Sequence, residues 1–245
     1  MTSPAVQLPL SETFTSVQGE GKLSGVPSWF VRFSGCNLRC GWCDTPYASW
    51  SPEVMTRSLD DVLAEARSAS QRNVRHAVVT GGEPMMFDAV EPLTQALRAL
   101  GMHITIETAG TIARSPTALA CDLMSISPKL RNSTPREGDP RDPGGVWRNR
   151  HEERRLNLAA LQQLLDDYAS RQLKFVVSEP EQLAEIESLL AQLRGWTNDD
   201  VLLMPEGITV DTLASRQWLV GACTTRGWRF CPRLHIQLFG NKRGT

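Results

Sequence analysis

The sequence predicts an α/β protein built from parallel βα units, and two observations carry that reading. Short β-branched or apolar runs alternate with stretches of helical periodicity along nearly the whole chain. The chain has 245 residues, 41% hydrophobic and 22% charged, enough to bury a sizeable core without disulfide staples. No internal repeat or low-complexity tract interrupts the alternation. In such folds helices cover the outside and the carboxyl ends of the strands carry the chemistry.

The elements follow in order. Residues 29–33, Trp-Phe-Val-Arg-Phe, read as a strand. Residues 58–70 read as a helix, with Ser58 as N-cap and Asp60 and Asp61 complementing the dipole of the first turn. Residues 77–80 form a short buried strand, and 88–100 a helix that Gly101 ends. Strands are expected over 104–107, 123–127, 173–177 and 201–204, with helices over 156–169, 180–193 and 210–220. Residues 227–230 and 233–238 read as late strands. The stretch 131–155 breaks the pattern with three prolines, three glycines and twelve charged residues. It reads as a long, solvated surface loop inserted into a single domain spanning 1–245, because the alternation resumes directly after it.

Composition excludes several classes. Lys plus Arg is 26 against 27 Asp plus Glu, a formal net charge of −1, whereas a protein that coats nucleic acid should be strongly basic. No apolar run approaches ~18 residues, so neither a membrane span nor a membrane partner is expected. Residues 1–10 have no basic start and no apolar core of signal-peptide length. A cytoplasmic address follows.

Six cysteines in a chain of this length do not make a secreted disulfide framework. Three of them, Cys36, Cys40 and Cys43, fall in one turn-prone loop after the first predicted strand, while Cys121, Cys223 and Cys231 are dispersed. Three thiolates spaced x3 then x2 suit an iron–sulfur cluster or zinc. Structural zinc wants four ligands, and His76, the nearest histidine in sequence, belongs to a helix–strand junction.

The spacing Cys36-x3-Cys40-x2-Cys43, with Trp42 just before the last cysteine, resembles the signature of the radical S-adenosylmethionine superfamily. The resemblance implies a 4Fe-4S cluster on the three thiolates, with S-adenosylmethionine chelating the fourth iron. Thr80-Gly81-Gly82-Glu83-Pro84 follows a predicted strand about forty residues further on. It resembles the superfamily loop that holds the methionine amino group.

Further matches run over nearly the whole chain. They are Phe14-Thr15-Ser16-Val17-Gln18-Gly19-Glu20-Gly21, the run from Phe30 into Cys36, Cys43-Asp44-Thr45, Ile106-Glu107-Thr108-Ala109-Gly110-Thr111, Ser127-Pro128-Lys129, Leu234-His235, and Gly240-Asn241-Lys242-Arg243-Gly244. Together they resemble the 7-carboxy-7-deazaguanine synthase family. That resemblance implies a modified, incomplete TIM-like (β/α) barrel and a homodimer. The implied activity is radical ring contraction of 6-carboxy-5,6,7,8-tetrahydropterin with loss of ammonia, in queuosine-type 7-deazapurine biosynthesis. The resemblance also implies a flavodoxin-type or other electron donor and a radical carried by the cofactor, so no side chain is assigned a catalytic role.

By the same resemblance Val17, Gln18, Gly19, Glu20, Arg32, Thr80 and His235 contact the pterin. Arg32, a charge inside an apolar strand, would clamp the substrate carboxylate with its planar fork. Trp42, Cys43, Asp44, Gly81, Gly82, Glu83, Ser127, Pro128, Lys129 and Met204 contact S-adenosylmethionine. Thr45 ligates Mg2+, with the substrate carboxylate and waters completing the shell. Two departures stand out. Met204-Pro205 replaces the Gln-Pro of many relatives. The chain also continues past Leu238 into a basic tail, so the substrate contact made by the terminal carboxylate of short members is not carried over to Thr245. A glycyl-radical activase would share the cysteine loop and Gly-Gly-Glu but lack Val17-Gln18-Gly19-Glu20 and Arg32 in this arrangement. A non-enzymatic zinc or iron–sulfur module would bind no S-adenosylmethionine.

Overall fold

The structure, a computed structural model, describes residues 6–245. The first half of the stretch read for a signal peptide therefore lies outside the described residues. One nine-stranded sheet organises the chain, in the order β3-β1-β2-β4-β5-β6-β7-β8-β9. The strands are β1 Gln7–Val17, β2 Pro27–Phe33, β3 Met55–Ser58, β4 His76–Gly81, β5 His103–Thr108, β6 Leu123–Ile126, β7 Arg171–Val177, β8 Val201–Pro205 and β9 Arg229–Phe230. From β2 to β9 every pairing is parallel, while β1 runs antiparallel to both β2 and β3. The edges β3 and β9 do not meet, so the sheet is an open, partial barrel.

The helices are α1 Leu59–Gln71, α2 Val90–Ala99, α3 Val146–Arg154, α4 Leu158–Asp167, α5 Gln182–Leu190, α6 Val210–Ala214, α7 Trp218–Arg226 and α8 Leu234–Phe239. Helix α1 starts as its sequence dictates: the Ser58 side chain accepts from the Asp61 amide, and Val62, Ala66 and Ala69 bury one face. Successive strand residues point to opposite faces. Trp29, Val31 and Phe33 enter the core against the helices, as do Leu173, Phe175 and Val177. Their neighbours Phe30, Arg32, Lys174 and Val176 face a cavity on the concave side. Strand periodicity thus explains the charge inside the apolar run of β2.

Several expectations fail locally. Strands β1 and β3 were not anticipated, because Ser11, Glu12, Thr13, Thr15 and Ser16 hide the apolar signal of β1 and β3 is mostly exposed. The 131–155 stretch is not simply a solvated loop. It contains α3, whose N-terminal amides at Trp147 and Arg148 are capped by the Asp142 carboxylate at 3.1 and 2.8 Å. The 210–220 helix is two helices, α6 and α7, and α7 runs on to Gly227, whose φ of 69° ends it. Residues 233–238, read as a strand from the alternation Leu-His-Ile-Gln-Leu, form α8 instead, because β9 already occupies the edge beside β8.

At the amino ends of the strands, His76 is buried between Ser28 and Thr105, its two ring nitrogens each 2.7 Å from a hydroxyl. Burial pushes its pKa down to about 4. The imidazole is therefore neutral in the folded protein, and its contribution is complete above the unfolded value near 6.5 and lost as pH falls towards 4. In urea titrations the stability of the wild-type protein should drop between those pH values by up to roughly 3 kcal/mol from this residue. His76→Gln should flatten that slope, and an unchanged slope would contradict the assignment.

Candidate active site

The carboxyl ends of the strands surround a cavity of about 440 Å3. Its concave wall is the inward face of the sheet, with Arg32 from β2, Thr80 from β4, Glu107 from β5, Ser125 from β6, Lys174 from β7 and Met204 from β8. The loop after β1 brings Val17, Gln18, Gly19 and Glu20 to the same space, and α8 brings His235. Trp42, Asp44, Thr45, Gly81, Gly82, Ser127 and Lys129 complete the opposite side with Cys36 and Cys40. Of the residues singled out from the sequence, three stand back from the cavity: Cys43, Glu83 and Pro128.

Charge is balanced pairwise around the Glu20 carboxylate. Lys174 Nζ forms an ion pair with one of its oxygens, and Arg233 Nε donates to the other at 3.1 Å. Arg233 also pairs with Asp44 and donates to the Gly207 carbonyl at 2.6 Å. Burial opposes ionisation of Glu20, but Lys174 and Arg233 hold its carboxyl well below the usual carboxylate range. Burial likewise works against the Lys174 ammonium, and Glu20 and Glu107 more than offset it. Burial moves the His235 pKa down, with Glu20 opposing and Arg233 reinforcing, so the imidazole is neutral near pH 7. Gly19 lies so close to this ring that a β-carbon there would fall under 3.0 Å from it.

Two further carboxylates organise the wall. Glu107 accepts from Thr80 Oγ1 at 2.8 Å and from Gln18 Nε2 at 3.2 Å. Glu12 accepts from Arg32 Nε and from the Tyr47 hydroxyl, both at 2.8 Å. Sequence reasoning assigned no role to Glu12, Glu107, Lys174 or Arg233. Lys174 carries the signal that singled out Arg32, a lone charge in an apolar strand. Arg243 of the C-terminal tail reaches Glu12 at 3.3 Å and stacks over the Tyr47 ring at 4.2 Å. The tail folds back, and residues 241–245 line the cavity.

The cysteine loop leaves β2 beside the loop that leaves β4. A β-carbon on Gly82 would lie under 3.0 Å from the carbonyl oxygens of Gly35 and Ala48. Gly81 has φ 142° and is pressed against Phe33. The two glycines thus serve first to let one loop backbone pass the other. Glu83 is fully buried and ties this loop to β5, accepting from Thr108 Oγ1 and the Ala109 amide at 2.8 Å. Its carboxylate is therefore committed inside the protein.

Burial pushes the Cys36 thiol up to about 12 and raises that of Cys40 as well. Cys43 Sγ lies 3.2 Å from Ser49 Oγ and 3.8 Å from Thr45 Oγ1. Among the described residues no trio of His, Cys, Asp or Glu is arranged to hold a single metal ion. Three thiols on one short loop, with the Glu83 and Asp44 carboxylates adding to the burial that disfavours their ionisation, fit a multinuclear cluster whose iron charge stabilises the thiolates. The buried Trp42 Nε1 has no hydrogen-bond partner, which leaves a donor beside the loop for a bound cofactor. At Thr45 the protein offers one hydroxyl, since Asp44 is committed to Arg233. That donor set fits only a magnesium ion carried largely by substrate and water.

Residues 30–136 match the Radical SAM superfamily. A 7-carboxy-7-deazaguanine synthase from Halobacterium salinarum is 48% identical over 241 residues, covering 96% of this chain and 91% of that protein. The chain belongs to the 7-carboxy-7-deazaguanine synthase family. A second member, from Rhodopirellula baltica, is 47% identical over 96% of this chain and 88% of its own length. The crystal structure of QueE from Escherichia coli superposes with a TM-score of 0.64 at 27% identity, covering 92% of this chain and 93% of that one. The partial barrel is thus the family's fold.

Gly82→Ala should force the two loops apart and destabilise the protein by roughly 1–3 kcal/mol, with lower iron uptake on reconstitution. Gly221 lies in α7 with open space around its missing β-carbon. Gly221→Ala should raise the denaturation midpoint by roughly 0.5–1 kcal/mol equivalent. A Gly82→Ala protein with wild-type stability and iron content would refute the close-approach argument.

Proposed function

We propose that this member of the family catalyses the radical ring contraction of 6-carboxy-5,6,7,8-tetrahydropterin to 7-carboxy-7-deazaguanine, with release of ammonia. One cavity unites the cysteine loop with Arg32, Gln18, Thr80 and Glu107, and that union is the observation that carries the reading. Cys36, Cys40 and Cys43 would hold the 4Fe-4S cluster. S-adenosylmethionine would lie along Trp42, Asp44, Gly81, Gly82, Ser127, Lys129 and Met204, with Cys43, Glu83 and Pro128 acting from behind that surface. When bound, the cluster and S-adenosylmethionine supply one-electron hydrogen-abstraction chemistry.

The protein's own residues bind, orient and shield. Arg32 is half-buried, and Glu12 holds its Nε, so the guanidinium charge is fixed in direction before a carboxylate arrives. Gln18, Thr80 and Glu107 already form a hydrogen-bonded edge of donors and acceptors, the complement of a flat heterocycle. Glu20 stays ionised, and the neutral His235 ring closes over it across Gly19. Lys129 Nζ, 2.8 Å from Ser127 Oγ and 5.6 Å from the Trp42 ring centre, is a point charge for the cofactor carboxylate. Val17 and Met204 add apolar wall that excludes water from the reacting centre. Thr45 would take part in binding Mg2+ together with the substrate carboxylate. The working protein would be a cytoplasmic homodimer fed by a flavodoxin-type or other electron donor.

Three measurements test this. Anaerobically reconstituted protein given substrate deuterated at C6 should pass label into S-adenosylmethionine and form 7-carboxy-7-deazaguanine. Cleavage of S-adenosylmethionine with neither outcome would refute the proposal. Arg32→Lys should weaken substrate binding roughly ten- to a hundredfold, because Lys lacks the two-pronged donor. The loss should shrink for a pterin without the carboxylate. Turnover should rise with added magnesium, and Thr45→Ala should blunt that response at normal iron content; turnover indifferent to chelation would remove magnesium from the scheme.

A further inference from the structure

The cysteine loop lies beyond the sheet, so the hydrogen bonds of its backbone must be made elsewhere. Three of them join the segment 131–155. The Arg39 amide donates to His151 Nδ1 at 3.1 Å, and the Gly41 amide to the Ser133 carbonyl at 2.8 Å. The Gly41 carbonyl accepts from Arg141 Nη2 at 2.8 Å. Arg39 Nη1 returns to the carbonyls of Cys36 and Leu38 at 2.7 and 2.8 Å, and its guanidinium carbon lies 4.0 Å from the centre of the Trp147 ring.

His151 is the buried centre of this arrangement, with no solvent exposure. Ser133 Oγ donates to the Leu130 carbonyl at 2.6 Å and so accepts from His151 Nε2, 2.9 Å away. That fixes the proton on Nε2 and leaves Nδ1 bare for the Arg39 amide. The segment is itself anchored. Arg155 Nη1 bonds the Lys129 carbonyl at 3.0 Å and Glu185 at 3.1 Å, and Asp142 caps the start of α3.

We propose that the 131–155 insertion is a clamp that sets the backbone between Cys36 and Cys43 at Arg39 and Gly41, and that His151 is its positioning residue. The proposal rests on the reading that Cys36, Cys40 and Cys43 hold the cluster. His151 touches no ligand atom. It acts through the Arg39 amide, one residue before Cys40, and Trp147 acts through the Arg39 guanidinium. A loop held from outside offers its thiols in one arrangement, and loss of the hold should show as weaker retention of iron.

Two substitutions separate this role from packing. In His151→Asn the amide oxygen can take the place of Nδ1 and keep the Arg39 contact while losing Ser133. In His151→Gln the longer side chain reaches Ser133 and loses the Arg39 amide. The full chain is reconstituted anaerobically, and three quantities are read: iron per chain, the rate of iron loss to a chelator, and the electron paramagnetic resonance spectrum of the reduced protein with and without S-adenosylmethionine. His151→Asn should stay close to wild type. His151→Gln and Trp147→Leu should lose iron roughly ten- to a hundredfold faster and show an altered spectrum, with far-UV circular dichroism unchanged. Equal behaviour of the Asn and Gln variants, or wild-type retention in the Gln variant, overturns the proposal. If both His151 variants fail to fold, Trp147→Leu decides, and wild-type retention there overturns it. Cys40→Ala run in parallel keeps the two readings apart: a cluster retained in that variant refutes the ligand assignment itself.

Discussion

The parallel register of β2 on β4 is the constraint from which the site follows. It sets Arg32 opposite Thr80 and Phe33 opposite Gly81, so the two strands end level and their loops must leave side by side. Side chains cannot fit between two backbones that close, and Gly81 and Gly82 meet that condition. Once the loops are in contact, the Gly35 carbonyl receives the Glu83 amide at 2.9 Å and the Gly82 amide reaches the Phe33 carbonyl at 3.1 Å. The cysteine loop is thereby seated against the same edge of the barrel that carries the polar wall. The open sheet leaves this edge broad, and β1, running antiparallel outside β2, carries the Gln18–Glu20 turn back over it.

The second organising principle is compensation of charge among buried and half-buried side chains. An isolated carboxylate on the concave wall would be strongly disfavoured. Glu20, Asp44, Glu12 and Glu107 each meet a cation or a set of donors instead, and Lys174 and Arg233 each serve two carboxylates. Removing one partner would leave the other buried and unpaired, so these groups behave as one unit rather than as a sum of pairs. The consequence for binding is preorganisation. The dipoles and charges that meet a polar heterocycle are held in place by protein contacts beforehand.

The candidate site was legible where chemistry demands rare residues at fixed spacing. Three cysteines in one loop, Gly81-Gly82 after a strand, and an arginine inside the apolar run of β2 all announce themselves against a background of ordinary composition. Partners that act through tertiary contacts do not. Glu12 lies in a strand whose run of Ser and Thr masks its pattern, and Arg233 sits in a segment whose period-2 pattern imitates a strand. Helix α3 has few apolar residues, since it and its flanks bind the body through His151, Arg155 and Asp142 rather than through an apolar stripe. Periodicity therefore could not find it. The role of Gly19 was legible only in part, since its necessity comes from a ring more than two hundred residues away in the chain.

The separation between the cysteine loop and its brace also has a temporal side. Arg39 and His151 stand 112 positions apart in sequence. A chain made at about 5–20 residues per second exposes the loop for roughly 6–20 seconds before His151 has been joined to it. Throughout that interval only partners made earlier, such as the loop after β4, are available to hold it. The order of segments along the chain thus sets how long the cysteine loop waits for its brace, and shortening that wait would require moving the brace upstream.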